Sequence, residues 1–128
     1  MTRIEFYRTE EGWKGFKAQG HTGYARRGED VVCAAMSVLT HTAVLGLKKV
    51  LGVDCLVKAD ETQGLLVCLL PDRLSGEEYK QAQLILEVLY AGVTATVEEY
   101  GNYVRMKEVP YREDESAIFR LKKRRRKY

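Results

Sequence analysis

Cysteine, histidine and proline are scarce in this chain, and each scarcity excludes something. The three cysteines, Cys33, Cys55 and Cys68, are odd in number and never spaced C-x-x-C, and only His21 and His41 accompany them. Such a set makes neither a disulfide framework nor a metal site, so reduced thiols are expected, with no metal and no other cofactor. The two prolines, Pro71 and Pro110, both read as strand ends. No apolar run reaches the eighteen or so residues of a membrane span without polar interruption. The start Met1-Thr2-Arg3-Ile4-Glu5 is too charged for a signal peptide. A cytoplasmic chain without membrane contact is the expectation, and 128 residues suffice for one ordinary core rather than several.

A surplus of charge is also missing from most of the chain. The formal +3 is an average: seven of the 21 basic residues fall between Arg120 and Lys127, which leaves 14 against 18 acidic ones, a body of about −4. The sequence therefore divides into a domain over residues 1–110 and a basic C-terminal tail over 111–128. Solvated tail and ribosomal RNA contact through Arg120 to Lys127 compete as readings of those cations, the second by attraction to phosphates.

What is present is a regular alternation of elements. Residues 3–8 and 13–18 alternate apolar and polar side chains around the turn Glu10-Glu11-Gly12, the pattern of a hairpin. Residues 54–59 and 65–70 read as a second strand pair, and 102–109 as a fifth strand. Between them, Asp30 to Leu51 is a helix apolar nearly all round, with Val32, Met36, Leu39, Ala43, Leu47 and Val50 on one line and Gly52 ending it. Such a helix needs cover on every side, from the sheet and from another helix or subunit. Ser75-Gly76-Glu77-Glu78 is a capping box that opens a second helix running to about Tyr100. The expected fold is α+β and two-layered: a sheet of about five strands in the order β-β-α-β-β-α-β, with two main helices, one central and apolar, on one or both faces.

The chemistry concentrates between Gly20 and Leu39. Asp30, after Gly28 and before the apolar run, reads as an N-cap, which would make Cys33 the third helical residue. There the positive end of the helix dipole favours thiolate and lowers a cysteine's pKa, and free N–H groups can hold an oxyanion. His21 lies twelve residues before Cys33, across a loop with Gly23 and Gly28, and can fold back as general base and then general acid. Asp30 can cap or orient. Gly20, Gly23, Tyr24 and Ser37 are candidates for the substrate or oxyanion site, the loop closing over a substrate. Each has a plainer reading: Cys33 as packing, Ser37 bonded to a carbonyl one turn back, His41 as structural. Cys55 and Cys68 read as sheet packing.

G-H-T-G-Y-A followed by G-E-D-V-V-C-A-A-M-S resembles the signature of the bacterial ribosomal-processing cysteine protease family, Prp, where a Gly-His element precedes an Asp-Ile-Val-Cys-Ala element at the same His-to-Cys interval. Q-A-Q-L-I-L from Gln81 to Leu86 and E-E-Y from Glu98 to Tyr100 extend the resemblance to roughly residues 2–108. Thr22 and the tail depart from the family pattern. The resemblance implies a cytoplasmic homodimeric cysteine endopeptidase with His21 and Cys33 as its dyad. Its implied substrate is the N-terminal extension of large-subunit ribosomal protein number twenty-seven, cut after an aromatic residue, in support of ribosome assembly. The alternative is a non-catalytic, ribosome- or RNA-associated dimeric domain that binds through its basic tail. A redox sensor at Cys33 would need a resolving cysteine, which Cys55 and Cys68 do not guarantee.

Overall fold

The computed structural model describes residues 1–20 and 27–112, and of 27–30 only the backbone. His21, Gly23, Tyr24 and the basic tail from Arg120 to Lys127 lie outside the described residues. Five strands and two helices follow in the expected order: β1 (Thr2–Arg8), β2 (Trp13–Gln19), α1 (Arg27–Leu45), β3 (Leu56–Asp60), β4 (Leu65–Leu69), α2 (Gly76–Tyr100) and β5 (Val104–Pro110). The sheet order is β3-β4-β2-β1-β5. All neighbours are antiparallel except β1 and β5, which run parallel with Thr2 opposite Val104 and Arg8 opposite Pro110.

Both helices lie on one face. Alternate residues of every strand, Ile4, Phe6, Phe16, Ala18, Val57, Leu66, Cys68 and Val104, point into a core shared with Val32, Met36, Val44 and Leu47 of the first helix and its π-helical end and Ala82, Leu86, Leu89 and Val93 of α2. Phe6 is its aromatic hinge, with Trp13 at 5.5 Å, Phe16 at 6.4 Å and Tyr90 at 5.1 Å between ring centroids. Buried side chains of this size contribute roughly 1.5–3 kcal/mol each by leaving water. The opposite face holds only a small cluster around Tyr7, Leu56, Val67 and Leu69 among the described residues.

The Gln81 to Leu86 stretch has a structural use at Gln83. Its amide accepts from the Trp13 N–H at 2.8 Å and donates to the Trp13 carbonyl at 2.7 Å, clamping α2 to the hairpin. One turn on, Glu87 accepts from the Trp13 indole N–H at 2.6 Å. The capping box is formed in both directions, Glu78 N–H to Ser75 Oγ at 3.1 Å and Ser75 N–H to Glu78 Oε1 at 2.9 Å. β5 is tied to its neighbours through Glu108, which accepts from Tyr90 Oη at 2.9 Å and Arg8 Nε at 3.0 Å. Those two bonds hold the Glu108 carboxyl below the usual carboxylate range.

Three expectations about α1 change. It begins at Arg27, so Asp30 is inside the first turn and is not its N-cap. Its end widens into a π-helical turn, Gly46–Val50, closed by Leu51 N–H to Gly46 C=O at 3.0 Å before Gly52 turns left-handed at φ 71°. Val50 leaves the buried line and is exposed, as are Val31, Val38 and Leu45, with Leu84 and Val88 exposed on α2. By length and composition alone Val31–Val50 is apolar enough to cross a membrane, yet one side of it is packed on the sheet.

Candidate functional site

Cys33 is the seventh residue of α1, one turn later than its expected place. In an interior turn its N–H is directed at the carbonyl of Glu29, so the unpaired donors lie at the very start of the helix, at residues 27–29. A helical side chain tilts toward the N-terminus of its helix, which aims the half-buried Cys33 thiol back along α1 toward the sheet edge formed by the start of β1 and the end of β2.

Two strand ends meet the sulfur. Thr2 opens β1, is 3% exposed, and places Oγ1 3.1 Å from Cys33 Sγ. Its own N–H donates to the Tyr103 carbonyl at 2.9 Å, which pins it to the turn before β5. Gly20 follows β2 directly and packs so closely that a Cβ there would lie 3.5 Å from Thr2 Oγ1 and 4.0 Å from Cys33 Sγ. Gly20 is therefore the residue that carries the chain from β2 past the thiol, and the next residue is His21.

Gly20 is itself held from the far side. Its N–H donates to the Gly64 carbonyl at 3.0 Å, so it is committed to the β3–β4 turn and is not a free oxyanion donor, contrary to expectation. Gly64 has φ 62°, and a Cβ on it would overlap the Gly20 carbonyl oxygen. Only glycine allows both the turn and the approach.

The remaining candidates sort by contact. Ser37 is one turn beyond Cys33, but its Oγ lies 3.4 Å from His41 Nδ1 rather than on the Cys33 carbonyl. His41 donates from Nδ1 to the Ser37 carbonyl at 2.8 Å, a structural use. Thr40 makes the back-bond expected of a mid-helix hydroxyl, to Met36 O at 2.9 Å. Cys55 and Cys68 are buried, and a hydrogen bond between them together with burial raises the Cys68 thiol well above its ordinary range, which keeps it protonated packing. A cleft of about 640 Å³ lined by Thr9, Glu11, Trp13, Ser75 and Tyr79 lies at the β1–β2 turn, the opposite end of the hairpin from Thr2 and Gly20. The seven-residue strands put it roughly 20 Å from the thiol.

Thr2 and Gly64 were not legible as site residues. A threonine at a strand start carries no chemical signal, and the glycine after Asp60-Glu61-Thr62-Gln63 marks a turn without revealing what the turn touches.

Residues 1–105 match the family described as Cysteine protease Prp. The ribosomal processing cysteine protease Prp of Bacillus subtilis is 26% identical over 97 residues, 76% of this chain and 87% of that protein. Two crystal structures of the essential ribosomal processing protease Prp of S. aureus share the fold. The complex with a substrate peptide has TM-score 0.76 at 20% identity, covering 85% of this chain and 100% of the other. The complex with a covalently linked product peptide has TM-score 0.72 at 21% identity, with the same coverage. A family match over most of the chain, with a cysteine at the meeting point of helix and sheet, makes this chain a member of the Prp family and a cysteine protease.

Proposed function

We propose that the chain removes the N-terminal extension of large-subunit ribosomal protein number twenty-seven by a Cys33–His21 dyad, supporting ribosome assembly in the cytoplasm. The observation that carries this reading is Cys33 Sγ beside Thr2 Oγ1 and Gly20, the residue that leads into His21. The S. aureus protease, seen once with a substrate peptide and once with a covalently linked product peptide, supports a peptide substrate and a covalent step.

The mechanism balances on one proton. His21 takes the proton of Cys33, and the sulfur attacks the scissile carbonyl carbon as the C=O electron pair moves to oxygen. Collapse breaks the C–N bond, the amine leaves with the proton from His21, and a thioester remains on Cys33. Water then attacks the thioester, giving its proton to His21; collapse breaks the C–S bond, the sulfur takes that proton back from His21, and the acid product is released. The unpaired N–H groups of the first turn, residues 27–29, lie toward the helix start to which the thiol tilts and are the candidate oxyanion donors. Asp30 belongs to that first turn, where the helix dipole favours an acidic residue.

Mass spectrometry of a synthetic peptide copying the extension from the same bacterium tests the substrate. A single cut after an aromatic residue is expected; an intact peptide would remove this reading.

Thr2 makes a second prediction. Its hydroxyl lies 3.1 Å from the sulfur, and a hydrogen bond to the anion formed when His21 takes the proton is worth about 1.5–3 kcal/mol. Thr2→Val keeps the shape and is expected to lower kcat about tenfold or more with little change in KM, while Thr2→Ser restores it. Equal loss in both variants, tracking a lower Tm, would reduce Thr2 to packing.

Two accessory features belong to the proposal. The exposed stripe Val31, Val38 and Leu45, beside Leu84 and Val88, is apolar surface that a second copy would cover, supporting a homodimer. Light scattering that returns a mass near 14.6 kDa would oppose it. The basic residues from Arg120 to Lys127 would contact ribosomal RNA and raise the encounter rate without entering the chemistry. The rival expectation of a non-catalytic domain gives way to membership of a protease family.

A further inference from the structure

The sheet face away from the helices buries the cluster of Tyr7, Leu56, Val67 and Leu69, and the charge of the remainder of that face is the reverse of the body's. Five basic side chains present their charge on this face, Arg3, Lys17, Lys58, Arg105 and Lys107, whereas Lys14 at its Tyr111 end is only 12% exposed and is paired with Asp72 at 2.9 Å. Against them stand Glu5 and Asp60, out of 18 acidic residues in the chain. Asp60 turns to its own loop, accepting from the Thr62 and Gln63 N–H groups at 3.0 and 3.4 Å. On the helical side α2 alone carries five glutamates and one lysine. Five of the 14 basic residues before Arg120 thus share one surface with two carboxylates, in a body that is net acidic.

Their order follows from the register. Lys58, Lys17 and Lys107 share one cross-strand row with Glu5, whose carboxylate is 3.9 Å from Lys107 Nζ. In the next row Arg3 is directly opposite Arg105. Like charges on neighbouring strands, about 4.8 Å apart, destabilise the pairing. Among the described residues Arg3 and Lys17 have no carboxylate partner, and Arg105 Nε meets the Met1 sulfur at 3.2 Å. An anion lying across the two guanidinium groups would reverse that repulsion.

The geometry points to RNA as the occupant: we propose that the cationic part of this sheet face, beside the buried cluster, binds the phosphate backbone of an RNA strand across β2, β1 and β5 at Arg3, Lys17, Arg105 and Lys107. Tyr111 continues β5 against Tyr7 on the same face, with ring centroids 6.0 Å apart. Cations repeated across neighbouring strands suit a polyanion with regularly spaced charges. An anionic membrane would be met through exposed apolar side chains among the cations, and among the described residues the large exposed hydrophobics are all on the helical side. The surface is independent of the cleavage chemistry.

The test uses full-length chains. A labelled mixed-sequence RNA oligonucleotide is titrated by fluorescence anisotropy between about 50 and 200 mM salt. The variants are Arg3→Gln/Lys17→Gln/Arg105→Gln, the single Arg105→Gln, and a chain with every Lys and Arg from 120 to 127 changed to Gln. The triple variant is expected to bind at least about tenfold more weakly and to flatten the log K against log salt slope by about 2, three phosphate contacts at roughly 0.7 each. The tail variant should keep the remaining slope. Arg105→Gln should take about a third of the triple's effect, which keeps the test open even if the triple variant fails to fold. Peptide cleavage, followed in the same preparations, should be unchanged by Arg105→Gln, so loss of RNA binding and failure of the protease reading give different signatures. Unchanged RNA affinity in the face variants, absence of RNA binding by the wild type, or tighter binding to polyglutamate or phosphatidylserine vesicles would each overturn the proposal.

Discussion

Cys33→Ala is expected to abolish peptide cleavage, by at least about 10⁴-fold, while the chain remains folded. The argument rests on position. Of the three thiols, Cys55 and Cys68 are sealed in the core with each other, and Cys33 alone is half-exposed at a junction of three elements. Loss of its sulfur removes the contact to Thr2 Oγ1 and leaves the buried neighbours Val32 and Met36 in place, so Tm should fall by only a few degrees. His21→Ala should cost a similar factor, and the double variant should be no worse than either single one, because nucleophile and base act as a unit. Cys55→Ala and Cys68→Ala should act on stability instead, through cavities in the core. Cleavage that persists in Cys33→Ala, or that disappears in Cys68→Ala at unchanged stability, would place the nucleophile elsewhere.

The parts of the fold legible in the sequence are those fixed by neighbours in the chain. Alternation of Ile4 and Phe6 against Glu5 identifies a half-buried strand, and Ser75 with Glu78 identifies a helix start, because both signals lie within a few residues of what they determine. The same local logic misplaces the start of α1. Asp30 is a good cap and Gly28 a poor helix residue, costing roughly 1 kcal/mol inside one, yet the helix runs through both from Arg27. Tertiary packing of Val32 and Met36 outweighs that local preference. Beyond reach were the parallel placement of β5 beside β1, about a hundred residues apart in sequence, and the single-sided helical layer. The same limit governs the site. Cys33 could be found from its spacing to His21, whereas Thr2 reaches it only because β1 crosses under α1, and Gly64 only because the β3–β4 turn folds onto the end of β2. The unpaired donors expected beside Cys33 shifted one turn away with the helix start, and the Gly20 N–H was lost to Gly64.

Gly64→Ala, more than 30 residues from Cys33 in sequence, is expected to cut cleavage at least tenfold and lower Tm by roughly 5–10 °C. Two costs act at this position. Its φ of 62° is left-handed, which a side chain resists by about 1–2 kcal/mol. In addition the new Cβ would overlap the Gly20 carbonyl oxygen and lie 3.1 Å from the Gly20 carbonyl carbon. Both atoms are backbone, so no rotamer relieves the contact, and either the turn or the end of β2 must move. Movement of β2 shifts Gly20 away from Cys33 Sγ and with it the segment leading to His21; a misplacement of about 1 Å at a catalytic pair can cost on the order of 10²-fold. Gly52→Ala separates the two costs. Its φ of 71° is equally left-handed, but nothing lies within 4 Å of a Cβ there. That variant should lose stability by the backbone term alone and cleave at the wild-type rate once assayed below its Tm. If Gly52→Ala and Gly64→Ala proved indistinguishable in cleavage, the Gly20–Gly64 contact would be a matter of fold and not of the site.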